Sequence, residues 1–174
     1  MSELMLSQNE LQKLANGILN GATVAEASGI SQDTLESLYA LAHGLYTSSN
    51  YHDAQVVFQA LTLYNPNDYR FWLGLAGCRQ AQGQYESAIE AYQMAGVASQ
   101  LKNPEPFFHA AHCLVKLGRR EDAESALQGV LEIGAADPRY ESVHQRAAAL
   151  LKLLKGAELT GWVDLNGDGT IGVL

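Results

Sequence analysis

Histidine, cysteine and carboxylate side chains hold metals and move protons, and this sequence gathers them in three places. His109, His112 and Cys113 put two imidazoles three residues apart, a spacing that shares one helix face, beside a thiol that can ligate zinc. A structural zinc needs four ligands, and no second cluster supplies the others, so no metal is expected. Asp164, Asn166 and Asp168, with Gly169 and Ile171 after them, follow the first half of a calcium loop, with oxygen side chains at positions one, three and five. Leu174 falls at position eleven of that loop and the bidentate glutamate at twelve is absent, which leaves a glycine- and Asx-rich turn as the plainer reading. Glu121 and Glu124 have the spacing of a solvated helix surface. Nothing resembles a nucleophile elbow or a phosphate loop. The sequence is therefore read as that of a non-enzyme with no cofactor.

Composition narrows the partners. The 174 residues carry a net charge of -8, which argues against nucleic acid, since that would call for a basic stripe. No apolar run reaches the ~20 residues that cross a bilayer. The opening MSELMLSQNE has no basic region of the kind that starts a secretory signal. A protein or peptide partner remains. Cys78 and Cys113 are read as small buried hydrophobes in a reducing compartment.

Spacing of the apolar residues points to a repeat. Ala54, Ala88 and Ala123 stand 34 and 35 residues apart. Phe58, Tyr92 and Leu127 follow them by four. Ala42, Ala76 and Ala111 precede by twelve, and Leu38, Trp72 and Phe107 by sixteen. Gly83 and Gly118 lie five residues before their alanines, where a turn between paired helices falls, and Ser49 takes that place in the first unit. A period near 34 with these residues is the tetratricopeptide pattern. The expected fold is all-α, a tetratricopeptide-repeat solenoid of three repeats over 35–137. An N-terminal helical segment, 1–34, precedes them, a capping helix, 138–155, follows, and a flexible Gly-rich tail, 156–174, ends the chain.

Helices are expected over 8–20, 34–48, 51–64, 68–82, 85–99, 104–117, 120–133 and 138–155. Ser7 and Glu10 have the spacing of a capping box, and so do Asp33 and Glu36. Asn103-Pro104 and Asp137-Pro138 are read as a cap followed by a proline at the first helical position. The first helix carries a narrow apolar stripe of Leu4, Leu11, Leu14 and Ile18. A helix this short does not persist alone in water, so its stripe must dock on the repeats or on a second copy of the chain.

The repeat pattern implies that the first helix of each pair lines a concave face, with its second, fifth, ninth and twelfth positions pointing inward. These are Glu36, Tyr39, His43 and Tyr46; Arg70, Leu73, Gly77 and Gln80; and Glu105, Phe108, His112 and Val115. Such a lining is rich in aromatic and apolar residues, as a binding surface is. Gly77 is costly in a helix interior, by about 1 kcal/mol relative to alanine. Its place is explained either by close approach of a ligand backbone or by close packing of helices.

Three segments carry a more specific resemblance: GISQDTLESLYALAHGLYTSSNYHDAQVVFQAL, YRFWLGLAGCRQAQGQYESAIEAY and PFFHAAHCLVKLGRREDAES. Through them the chain resembles the class II chaperones of type III secretion translocators, the LcrH/SycD type, over roughly residues 8–155. The resemblance implies a cytoplasmic bacterial chaperone that keeps hydrophobic translocators soluble and holds an extended N-terminal client segment in its groove. Family grooves take spaced apolar side chains in separate pockets. The matching peptide-binding positions are Tyr39, His43, Tyr46, Phe71, Leu73, Gln80, Phe108 and His112. The resemblance also implies a homodimer of the free chaperone through Leu11, Leu14 and Ile18. The alternative is a generic tetratricopeptide adaptor that scaffolds folded partners.

Overall fold

The structure is a computed structural model that describes residues 7–160. Leu4, Trp162 and the Asp164–Ile171 string lie outside the described residues. In chain order the helices are α1 (Gln8–Leu19), α2 (Val24–Ala27), α3 (Gln32–Thr47), α4 (Tyr51–Tyr64), α5 (Tyr69–Ala81), α6 (Tyr85–Ala98), α7 (Glu105–Lys116) and α8 (Arg120–Glu132). A 3₁₀ turn (Pro138–Tyr140) then leads into α9 (Glu141–Thr160). No strand occurs among the described residues. No described helix is long and apolar enough to cross a membrane. The chain divides into two compact units, residues 1–100 and 101–174.

Unit 1 holds α1 to α6. The Ser7 capping box forms: Ser7 Oγ accepts from the Glu10 N–H at 3.3 Å, and Glu10 Oε2 accepts from the Ser7 N–H at 2.8 Å. The short α2 was not expected, although Thr23 and Glu26 make the same kind of box, with the Thr23 N–H donating to Glu26 Oε2 at 2.7 Å. The cap of α3 lies two positions before the expected Asp33. Ser31, extended at ψ 154°, accepts from the Thr34 N–H at 3.2 Å, and Asp33 sits inside the first turn. Glu36 is thereby released from a capping role.

The repeat alanines are the contact points of the fold. Ala42, Ala54, Ala76 and Ala88 are all 0 % exposed, because helices cross there and leave no room for a larger group. Leu35, Phe58, Leu61, Phe71 and Leu75 fill the space between them. Burying each such side chain contributes about 1.5–3 kcal/mol. The helix-pair turns reverse through left-handed backbone, at φ 62° for Ser49 and 74° for Gly83. Glycine reaches that region without strain and serine does not.

Unit 2 holds α7, α8, the 3₁₀ turn and α9. Its core is Phe108, Ala111, Leu127, Val130, Val143 and Ala147, with Leu150, Leu151 and Leu154 packed beside it. Asn103 Oδ1 accepts from the Glu105 N–H, and Asp137 Oδ1 from the Arg139 N–H, each at 3.0 Å. Asp137 caps the 3₁₀ turn with Pro138 as its first residue, as expected, whereas Pro104 itself stands at the cap position of α7, which begins at Glu105. The last helix runs past residue 155 to Thr160. Arg120 of α8 donates to the Leu154 carbonyl, and His144 of α9 meets the Ile133 carbonyl at 2.8 Å. These bonds tie α9 to α8.

Candidate peptide-binding faces

In unit 1, α3 and α5 pack side by side and present Tyr39, His43, Tyr46, Leu73 and Gln80 on one face, because each recurs at a helical spacing from its neighbour. Tyr39 is the centre of an aromatic group. Its ring lies 6.0 Å from Phe58, edge-on, 5.9 Å from Phe71 and 6.2 Å from His43. The Arg70 guanidinium lies 4.9 Å from the same ring centroid, within cation–π range. Arg70 is itself held by two carboxylates: NH2 donates to Glu36 Oε1 and to Asp68 Oδ2, each at 2.6 Å, and Nε donates to Asp68 Oδ1 at 3.0 Å. Arg70, then Gln32, hold the Glu36 carboxyl below its ordinary range. Residues 36 and 70 are 34 apart, the same register position in successive repeats.

Tyr46 is half-buried at the other end of the face, edge-on to Tyr51 at 5.3 Å. Burial, then Tyr51 and Cys78, push its phenol upward. The ring lies against Gly77, where a Cβ would come within 3.3 Å of Tyr46 Cε2 and 3.4 Å of its hydroxyl. Gly77 therefore makes space for a tyrosine of the chain itself. Close packing is instead the business of Gly74, where a Cβ would stand 2.3 Å from the Phe58 ring. Gln80 Oε1 accepts from the Tyr92 hydroxyl at 2.6 Å, which fixes its amide.

Two residues read from sequence as surface contacts sit deeper. Phe71 is 0 % exposed and supports Tyr39 from beneath. In unit 2, Phe108 is 4 % exposed and belongs to the core, with the Arg146 guanidinium 4.7 Å over its ring and His112 edge-on at 5.2 Å. His112 is half-buried and remains at the face. Burial holds the pKa of both His109 and His112 below the ordinary histidine value. Burial raises the Cys113 thiol to about 11, so it stays protonated, and no metal-binding cluster of three or more ligands occurs among the described residues. Cys78 is likewise a free, buried thiol. Glu124 pairs with Arg120 at 2.9 Å and Glu121 is exposed, as a solvated surface requires.

On α1, Leu11 is 50 % exposed, Ile18 is 45 % exposed and Leu19 is 83 % exposed; Leu14 is half-buried. The helix packs on α2, with Gly17 so close that a Cβ would stand 3.0 Å from Ala27 Cβ. No residue of α1 is fully buried.

Residues 39–100 match the tetratricopeptide repeat family. The chain is 44 % identical over 135 residues to low calcium response locus protein H of Yersinia pseudotuberculosis, covering 78 % of this chain and 80 % of that protein. The chain belongs to the LcrH/SycD family of type III secretion translocator chaperones. Two solved members were captured with ligands. Yersinia enterocolitica SycD, bound to a peptide of the translocator YopD, matches with a TM-score of 0.70 at 43 % identity, over 74 % of this chain and 98 % of SycD. PcrH of Pseudomonas aeruginosa, bound to the chaperone-binding region of PopD, matches with a TM-score of 0.71 at 38 % identity, over 75 % of this chain and 97 % of PcrH. The family resemblance and the helical repeat architecture expected from sequence are both met.

Proposed function

We propose that this protein is a cytoplasmic chaperone that binds the hydrophobic translocators of a type III secretion system and keeps them soluble until secretion. The observation that carries this reading is the half-exposed aromatic face of α3 and α5 in a family whose solved members hold translocator segments. Tyr39, His43, Tyr46, Leu73 and Gln80 would meet the client in unit 1, over the support of Phe71. In unit 2 the corresponding contact is His112, backed by Phe108. Spaced apolar anchors of an extended segment contribute about 1–3 kcal/mol each when buried. That gain is offset by the ordering of the segment, which leaves a complex that can still be released. No step of this function requires bond chemistry.

The exposed Leu11 and Ile18, with Leu14 beside them, form an apolar strip on α1 that a second copy of the chain would cover, giving a homodimer of the free chaperone. The experiment is co-expression with a translocator. The translocator should appear in the soluble fraction with this protein and in aggregates without it. A translocator that stays insoluble in both cases would favour an adaptor for folded partners. For the dimer, removing residues 1–20 should lower the mass seen by light scattering.

A further inference from the structure

Arg70 stands in the first turn of α5 and is held far more closely than a half-exposed side chain needs to be. Its backbone N–H donates to Asp68, the cap of that helix, at 3.0 Å. Its guanidinium donates through Nε to Asp68 Oδ1 at 3.0 Å, through NH2 to Asp68 Oδ2 and Glu36 Oε1, each at 2.6 Å, and through NH1 to Glu36 Oε2 at 3.2 Å. Glu36 is steadied in turn by the Gln32 amide, which donates to its Oε1 at 3.0 Å. One planar group is thus gripped from α3 and from the cap of α5. It lies 4.9 Å from the Tyr39 ring centroid and 5.8 Å from that of Phe71.

Stability does not account for so close a grip. The Arg70 and Glu36 side chains are 34 % and 42 % exposed, and ion pairs in such surroundings add little to folding. What a bidentate fork provides is fixed geometry. Unit 2 supplies the contrast. There Glu105 again stands three residues before an aromatic, Phe108, and an arginine of another helix, Arg146, lies 4.7 Å over the ring. Yet Arg146 approaches Glu105 only to 4.0 Å. Phe108 is buried and held by the core, so it needs no further support, whereas Tyr39 is half-buried. The tight fork occurs where the core does not fix the ring.

We propose that Arg70 is a positioning residue of the client face. Held by Glu36 and Asp68, it fixes the Tyr39 ring in the orientation that receives an apolar anchor of the client segment, and it does so without touching the client. The inference rests on the chaperone reading and adds a residue to it that acts through Tyr39. A ring fixed before binding spares the cost of ordering it in the complex.

The decisive variant is Arg70→Lys in the full chain. Lysine keeps the positive charge between the two carboxylates but is a point charge on a flexible stem and cannot make the fork. With ring-labelled tyrosine, the Tyr39 signals are assigned in nuclear magnetic resonance spectra by their loss in Tyr39→Phe. In Arg70→Lys they should move, while those of Tyr46, at the other end of the face, stay in place. The melting midpoint should change by no more than about 3 °C. The probe for binding is the fluorescein-labelled chaperone-binding region of PopD. Its affinity should fall about threefold or more in Arg70→Lys and in Arg70→Gln, and neither change should cost anything further in a Tyr39→Ala chain. Wild-type affinity in Arg70→Lys overturns the proposal, because charge alone would then suffice. A loss that persists in the Tyr39→Ala chain also overturns it, by making Arg70 a direct client contact. So does a clearly lower midpoint in Arg70→Lys, or movement of Tyr46 together with Tyr39, either of which marks a purely structural ion pair. The ring signals need no client. A wild-type chain that does not bind the probe counts against the chaperone reading, whereas Tyr39 signals unmoved by Arg70→Lys overturn the positioning role.

Discussion

The fifth position of a repeat's first helix is Tyr39 in unit 1 and Phe108 in unit 2, and the two units put it to different use. Tyr39 is half-buried, resting on Phe58 and Phe71 with Arg70 beside it. Phe108 is enclosed by Leu127, Val130 and Val143 and lies under Arg146. The hydroxyl of a tyrosine favours an edge that stays in contact with water, whereas phenylalanine has no polar group to satisfy. A shared register thus provides a contact surface in one unit and a core residue in the other.

The largest expected effect tests that contrast directly. Phe108→Ala should destabilise unit 2 by about 3–5 kcal/mol in urea unfolding, the usual cost of emptying a core aromatic site. Tyr39→Ala should cost clearly less stability while weakening binding of a translocator segment at least tenfold, about 1.4 kcal/mol, in fluorescence anisotropy. Equal stability losses for the two would dissolve the distinction.

Next in size is a pair of glycines on α5. Gly74→Ala drives a methyl group into the buried Phe58 ring, and overpacking of that kind costs about 1–3 kcal/mol. Gly77→Ala meets only the half-buried Tyr46 ring, which can shift, and it gains up to about 1 kcal/mol of helix propensity. Thermal melts should therefore show a drop for Gly74→Ala and little change or a rise for Gly77→Ala. A drop of the same size at both would mean that Tyr46 is as firmly held as Phe58.

The helix-pair turns offer a smaller effect. Gly118 turns unit 2 at φ 71°, while Ser49 adopts φ 62° in unit 1 with a side chain that disfavours it. Ser49→Gly should raise stability by about 1 kcal/mol, given the cost of left-handed backbone at a residue with a Cβ. A neutral or negative result in chemical denaturation would show that the serine side chain contributes more than its weak 3.4 Å contact with the Tyr51 hydroxyl implies.

Acid should expose the remaining difference. Burial lowers the pKa of His109 and His112 in folded unit 2 below the ordinary 6.5, whereas His43 in unit 1 is exposed. As pH falls below about 6.5 the unfolded chain binds protons that the folded histidines resist, so stability is whole above that value and declines below it. His112→Gln should flatten this decline between pH 7 and 5 in unfolding measured across the range. An unchanged slope in that variant and in His109→Gln would assign the acid sensitivity elsewhere.

Much of this fold could be read from spacing alone. The alanines at 42, 54, 76, 88, 111 and 123 mark the helix crossings, and every one is fully buried. Their period, with Gly83, Gly118 and Ser49 at the turns, sets the helix pairs within one or two residues, because local hydrogen bonding and caps act over short stretches of chain. The three segments quoted above were enough to name the family. Thr23 and Glu26 also announced α2, though the glycines around them masked it.

What spacing could not supply was depth. Phe108 stands at an inward repeat position and Phe71 is named through the family resemblance, yet both side chains are buried. The pairing of Arg70 with both Glu36 and Asp68 follows from α3 and α5 lying side by side, which brings together groups 34 residues apart. Gly74 and Gly77 are alike in sequence and differ only in what stands opposite them, Phe58 in one case and Tyr46 in the other. Helical periodicity is a property of one segment and is written into it. Burial, ion pairing and steric room are properties of two segments at once, so they were decided only when the helices packed.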